Sequence, residues 1–222
     1  MAHEDAKERA ALQAMEFVAP GMVVGLGSGS TAAYAVEAIA ERLQSGELHD
    51  IVGIPTSART REHAASLGIP LTTLDQRTRI DVTIDGADEV DPSGSLIKGG
   101  GGALLWEKIV AAASEQFVIV VDDSKLVDRL GLRAALPVEV MPFGWKTHVD
   151  PVRALGAEPQ LRLGSGGAPF ITDSGHYLLD CRFPDGIDDP EFVERTLRSR
   201  PGVVETGLFL GMAPEVMVGR ID

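Results

Sequence analysis

The sequence predicts an α/β protein with a mainly parallel, doubly wound sheet, and three observations carry that prediction. Short apolar runs alternate with stretches of helical periodicity, the pattern of strands joined by crossover helices. The runs end in Gly, Ser, Thr or Asp, and it is beyond the carboxyl ends of strands that such sheets bind ligands. The composition, 44% hydrophobic with 25 Gly and 13 Pro but only 5% aromatic, suits many tight connections around an aliphatic core.

Taken in order, 4–18 places Ala11, Leu12, Met15 and Val18 at helical spacing before Pro20-Gly21 stops the helix. A strand over 22–26 then runs into Gly27, Ser28, Gly29, Ser30 and Thr31, and a helix follows over 32–43. Unpaired amides at such a helix start, with small residues beside them, can hold a phosphate. The loop matches neither G-x-G-x-x-G nor a GK[ST] ending, so a tight capped turn explains it equally well. The next unit has a strand over 51–54, a turn over 55–60 and a helix over 61–67 closed by Gly68. Further strands are expected over 69–74 and 80–84, the second leading into Asp85.

From Asp85 to Lys108 the chain reads DGADEVDPSGSLIKGGGGALLWEK. Gly86 and Ala87 are too small to shield Asp85 and Asp88 from a ligand in a shared crevice. Lys98 precedes Gly99, Gly100, Gly101 and Gly102, whose amides can form an anion-binding nest. In the helix over 103–114, Glu107 has Ala103, Leu104, Val110 and Ala111 as its helical neighbours. A carboxylate leaving an apolar face has its pKa raised by desolvation, which suits a group that takes and returns a proton. An exposed charge pair with Lys108 is the competing reading, and the sequence makes the two equal. Trp106 is expected in the core. A buried strand over 117–121 ends in Asp122-Asp123-Ser124-Lys125, which brings Lys125 to the same sheet edge.

Beyond 127 the pattern changes to strand 137–141, helix 148–155, strands 159–163 and 177–183, helix 190–198 and strand 203–209. This β-α-β-β-α-β order is that of a split βαβ, ferredoxin-like unit. A strand over 215–219 returns to the first sheet. The expected division is an α/β catalytic domain of 1–129 and 211–222 and an inserted α+β domain of 130–210 that contributes oligomer contacts.

A formal charge of −13 argues against nucleic acid and anionic membrane as partners. No apolar run approaches the ~20 residues that span a bilayer. The acidic, helical N-terminus is unlike a leader peptide, and the expected location is cytoplasmic. The single cysteine, Cys181, lies in a strand-like run as a half-buried thiol. His3, His49, His63, His148 and His176 are scattered, and without H-x-x-x-H or C-x-x-C spacing no metal site is expected.

The motifs GLGSGSTA at 25–32, DGADEVD at 85–91, KGGGGALLWEK at 98–108, DDSK at 122–125 and LPVEV at 136–140 closely resemble the type A ribose-5-phosphate isomerase family, in its order and approximate spacing. The resemblance implies interconversion of ribose 5-phosphate and ribulose 5-phosphate in the pentose phosphate pathway on a Rossmann-like sheet. It also implies that neither metal nor organic cofactor is needed, and a homodimer or sometimes a tetramer. Glu107 matches the catalytic base, and Ser28 to Thr31, Asp85 to Asp88, Lys98 to Gly101 and Lys125 match the substrate loops. On that reading Asp85 assists ring opening and Glu107 moves a proton from C2 to C1 through a cis-enediol. Lys98 and glycine amides stabilise the enediolate. Asp88 orients hydroxyls, while Ser30, Thr31 and Lys125 hold phosphate. Ser28 stands where the family commonly has threonine, and Leu105-Trp106 replaces more polar residues. Two other readings stay open: a sugar-phosphate sensor, which would not need Glu107, and a coenzyme A transferase, which would form a covalent thioester.

Overall fold

The computed structural model describes residues 2–220. In chain order the elements are α1 (Ala2–Ala14), β1 (Val23–Leu26), α2 (Ser30–Ser45), β2 (Val52–Pro55), α3 (Ala58–Ser66), β3 (Ile80–Asp85), β4 (Glu89–Val90), β5 (Leu96–Ile97) and α4 (Leu104–Ala112). They continue with β6 (Ser114–Asp122), β7 (Leu136–Val140), α5 (Val149–Ala154), β8 (Glu158–Leu161), β9 (Tyr177–Arg182), α6 (Pro190–Arg198), β10 (Val203–Thr206), β11 (Leu208–Phe209) and β12 (Glu215–Gly219). Two compact units result: Met1–Ala87, Trp106–Lys125 and Met212–Asp222 form the first, and Asp88–Leu105 with Leu126–Gly211 the second. The second unit therefore includes 88–105, a stretch that the sequence reading assigned to the first.

The first unit is a five-stranded sheet of order β12-β6-β3-β1-β2 with every neighbouring pair parallel. Alternation along the strands divides their side chains between two faces. Val24, Leu26, Val82, Ile84, Val118 and Val120 join α1 and α2 residues in one core, and Ile54, Ile80 and Val110 of α4 form a separate, smaller cluster. The chain leaves β1 for β2 at one edge, then returns across β1 to lay down β3, β6 and β12 on the other side. The switch point therefore falls between β1 and β3, where sheets of this kind open a crevice at their carboxyl ends. The strand expected over 69–74 does not form. Pro70 has no N–H to donate, and contact shrinks to one bridge, with Gly53 N–H on Pro70 O at 2.8 Å and Thr72 N–H on Gly53 O at 2.9 Å.

The second unit holds an antiparallel sheet of order β10-β7-β9-β8 whose inner face packs Val138, Val140, Leu179 and Cys181 against Val152 of α5 and Val193 and Leu197 of α6. The element order is the expected β-α-β-β-α-β. The bounds of α6 were legible because Asp189 accepts from Phe192 N–H at 2.9 Å and Pro190 occupies the first turn. The single strand expected over 203–209 is instead two, β10 in this sheet and β11 in a three-stranded sheet of order β11-β5-β4. Gly207 makes the transfer: its N–H donates to Pro137 O at 2.7 Å while its O accepts from Lys98 N–H at 2.9 Å. A Cβ there would lie 2.3 Å from Lys98 O, so only glycine lets the chain pass between the two sheets. Among the described residues no helix is long and apolar enough to cross a membrane.

Candidate active site

In the first unit the ends of β1 and β3 are laced together. Gly27 N–H donates to Ile84 O and Ser28 N–H to Asp85 Oδ1, both at 2.9 Å, and Gly86 N–H donates to the same carboxylate oxygen at 2.8 Å. Asp85 is fully buried, with Oδ2 also out of reach of solvent. Gly27 allows this approach, since a Cβ at that position would fall 2.4 Å from Asp85 Oδ1 and 2.5 Å from Asp85 Cα. Gly29, at φ 97°, turns the chain into α2, whose first residues are Ser30 and Thr31. No side-chain hydrogen bond caps this helix, and an uncapped helix start is where anions are commonly held. A Cβ on Gly86 would lie 3.7 Å from Ser28 O and 3.9 Å from Val120 O, two residues before the end of β6. There Lys125 closes a short 3-10 turn, half-buried, behind Asp122, which accepts from Ser124 N–H at 3.0 Å.

Ser28 behaves differently from its neighbours. Its hydroxyl lies 2.8 Å from Thr56 Oγ1, 2.8 Å from Ser57 Oγ and 3.0 Å from Thr60 Oγ1, a cluster in which Thr60 also donates to Gly27 O at 3.1 Å. The hydroxyl expected to meet substrate thus ties the glycine loop to the turn after β2. Thr56, Ser57 and Thr60 were not recognised as part of the site. Their only sequence signal was a hydroxyl-rich turn at another strand end.

Glu107 lies in the first turn of α4 and is 5% exposed, with Oε2 shielded from solvent. Of the two readings of the sequence, this burial favours the one that puts the carboxylate inside. Trp106, expected in the core, is half-buried with the Arg61 guanidinium 5.5 Å from its ring centroid. The ring lines a cavity of about 300 Å³ with Ile54, Pro55, Leu74 and Ile109.

In the second unit Asp88 Oδ2 accepts from Gly100 N–H at 2.7 Å. A Cβ on Gly100 would sit 2.7 Å from Asp88 Oδ1, so the glycine is what lets the carboxylate lie against the loop. Lys98, 2% exposed at the end of β5, holds Nζ 5.5 Å from the Phe209 ring centroid. Glu89, next to Asp88, has a purely internal use. Fully buried, it accepts from the N–H groups of Gly131, Arg133 and Ala134, the last two at 2.6 and 2.7 Å. Cys181 is buried in β9, where desolvation pushes its thiol pKa upward and leaves it a poor nucleophile.

The site residues therefore fall into two sets: Ser28 to Thr31, Asp85 to Ala87, Glu107 and Lys125 in the first unit, and Asp88 with Lys98 to Gly101 in the second. The first set holds buried carboxylates and the start of α2, and the second a buried ammonium and glycine amides, each a kind of group that proton transfer or oxyanion stabilisation uses. The chain is 53% identical over 219 residues to ribose-5-phosphate isomerase A of Chloroflexus aurantiacus, covering 99% of this chain and 91% of that one. It is 49% identical to the enzyme of the same name from Trichodesmium erythraeum, covering 97% and 91%. Among solved structures, a D-ribose-5-phosphate isomerase in complex with phospho-erythronic acid superposes with a TM-score of 0.96 at 44% identity, covering 99% of this chain and 96% of the other. Ribose 5-phosphate isomerase from Plasmodium falciparum gives 0.94 at 38% identity, covering 98% and 94%. Residues 52–222 match the family model described as ribose 5-phosphate isomerase A (phosphoriboisomerase A), and the chain belongs to that family.

Proposed function

We propose that this protein interconverts ribose 5-phosphate and ribulose 5-phosphate, as a step of the non-oxidative pentose phosphate pathway. The observation that carries the reading is the burial of Glu107 in the first turn of α4, directly after the glycine run. A sugar-phosphate sensor has no use for a carboxylate held there. Asp85, fixed by two backbone N–H groups, assists opening of the furanose ring by acting on a hydroxyl proton. Glu107 then takes the proton from C2 and returns it to C1, while the hydroxyl proton of O2 passes to O1. The cis-enediolate formed between these steps carries negative charge on its oxygens, and Lys98 and the amides of Gly99 to Gly101 stabilise it. Asp88 orients sugar hydroxyls. The open first turn of α2, with Ser30 and Thr31, holds the phosphate, and Lys125 supplies a cation. The mechanism needs no metal and no organic cofactor.

The second unit supports the reading of a homodimer or tetramer, because its surface carries Phe143 at 94% exposure, Leu163 at 58% and Ile171 at 54%. The function is tested by incubating the protein with ribose 5-phosphate and excess chelator and following ribulose 5-phosphate. Conversion is expected. Its absence favours a sensor, sensitivity to chelator overturns the metal-free mechanism, and a trapped thioester with an acyl-coenzyme A favours the transferase.

A further inference from the structure

The glycine run is gripped from its outer side by residues no motif contains. Arg162 forms a fork on Asp180, with Nε donating to Oδ2 at 2.9 Å and Nη2 to Oδ1, and its Nη1 donates to Gly99 O at 3.0 Å and Gly100 O at 3.1 Å. The pair is largely shielded, with the two side chains 16% and 28% exposed. Phe170 lies on the same guanidinium, 5.8 Å from its centroid, and fills the space where Gly102 has no Cβ. All of these residues belong to the second unit.

The consequence follows from the planar trans peptide, in which C=O and the next N–H point in opposite directions. Arg162 holds Gly99 O, and the N–H of that same peptide donates to Asp88 Oδ2 at 2.7 Å. Arg162 also holds Gly100 O, which turns the Gly101 N–H away from the guanidinium. The glycines themselves point the same way. Gly99 and Gly102 adopt φ of 103° and 86°, and Gly100 would collide with Asp88, so each has a reason internal to the fold. Gly101 has neither: its φ is not positive, and a Cβ would meet nothing within 4 Å. Open space beside an oriented amide is what close approach of a ligand requires.

We propose that Arg162, held by Asp180, is a positioning residue that sets the peptide planes of Gly99 to Gly101 so that the Gly101 amide donates to the enediolate oxygen of the substrate. The proposal rests on the isomerase reading above. With most of its donors taken by Asp180 and the two glycine carbonyls, Arg162 acts through the loop, so its loss acts on the charged intermediate more than on ground-state binding.

The test compares wild type, R162Q, R162K and D180N by steady-state kinetics on ribose 5-phosphate, by affinity for phospho-erythronate, and by hydrogen exchange of the 99–102 amides. The carboxylate carbon of phospho-erythronate lies three bonds from the phosphate-bearing carbon, as C2 of the enediolate does, and its two oxygens stand in for the enediolate oxygens carried on C1 and C2. With unfolding midpoints close to wild type, R162Q is expected to lose kcat by on the order of tenfold to a hundredfold, with KM within about twofold. Phospho-erythronate binding should weaken roughly in step with kcat, and amide exchange in the loop should accelerate. R162K does not restore the rate, since an ammonium lacks the planar fork that spans one carboxylate and two carbonyls, and D180N loses part of it. R162Q with wild-type kcat and wild-type exchange in an active enzyme overturns the proposal, and so does a loss confined to KM. If the wild type itself leaves ribose 5-phosphate unchanged while R162Q still loosens the loop, the clamp stands and the isomerase reading falls.

Discussion

Replacing Gly27 by alanine probes the junction on which the first half of the site depends. The added Cβ lies 2.4 Å from Asp85 Oδ1, 2.5 Å from Asp85 Cα and 2.5 Å from Ile84 O. Two of these are backbone atoms of β3, so no side-chain rotation relieves the overlap. Restoring ordinary contact of about 3.5 Å parts the two strand ends by about 1 Å. The Gly27 N–H to Ile84 O and Ser28 N–H to Asp85 Oδ1 bonds, both 2.9 Å, would then exceed hydrogen-bonding distance. Overpacking of this kind costs ~1–3 kcal/mol, and losing a bond to a buried carboxylate adds ~1.5–3 kcal/mol. The expected destabilisation is therefore ~3–5 kcal/mol, a large share of the ~5–15 kcal/mol that holds a typical protein folded. G29A is the control. Its φ of 97° is strained for alanine, but its Cβ meets nothing within 4 Å, and ~1–2 kcal/mol is expected. Urea unfolding of both variants gives the comparison directly. A G27A protein within ~0.5 kcal/mol of wild type would refute the reasoning that this glycine exists to admit Asp85.

Three further outcomes follow from the same geometry. E89Q places an amide N–H₂ among three backbone N–H donors in a fully buried position, and a loss of about 2–4 kcal/mol is expected in urea unfolding; a neutral substitution contradicts the nest. His148 is buried, with Arg200 Nε donating to its Nδ1 at 3.4 Å, and burial followed by the Arg200 charge lowers its pKa. Because the unfolded chain binds that proton more readily, stability is full above ~6.5 and declines as pH falls below it, until the lower folded pKa is passed. H148Q should flatten this part of the pH profile of the urea midpoint, and an unchanged slope excludes the residue. Finally, under the proposed homo-oligomer, F143D should shift the elution of the protein toward that of a monomer on size-exclusion chromatography at micromolar concentration; an unchanged elution volume removes Phe143 from any oligomer contact.

The parallel sheet was legible because strands buried on both faces are written as short continuous apolar runs, such as 22–26 and 117–121. The burial of Glu107 was legible in its aliphatic helical neighbours, and the glycines beside Asp85 and Lys98 marked those strand ends as unusual. Contacts between distant turns were not. The Ser28, Thr56 and Thr60 cluster forms only once β1 and β2 lie side by side, and hydroxyls in a turn look the same whether they cap a helix or bind one another. Arg162 escaped for the same reason, as a surface-like arginine just past the end of β8 whose carbonyl partners are 62 and 63 residues away. The run at 203–209 has strand character throughout, and nothing local marks Gly207 as the point where it changes sheets.

The central claim is that Glu107 moves the proton between C2 and C1, and E107Q tests it most directly. The amide keeps the size of the carboxylate and removes its basicity. The expected protein is folded, binds phospho-erythronate, and converts ribose 5-phosphate on the order of 10²–10⁴-fold more slowly than wild type. In deuterated water it should also fail to exchange the C2 hydrogen of ribose 5-phosphate, an exchange the wild type catalyses to the extent that Glu107 trades its proton with solvent. A folded E107Q protein with near-full turnover would contradict the account.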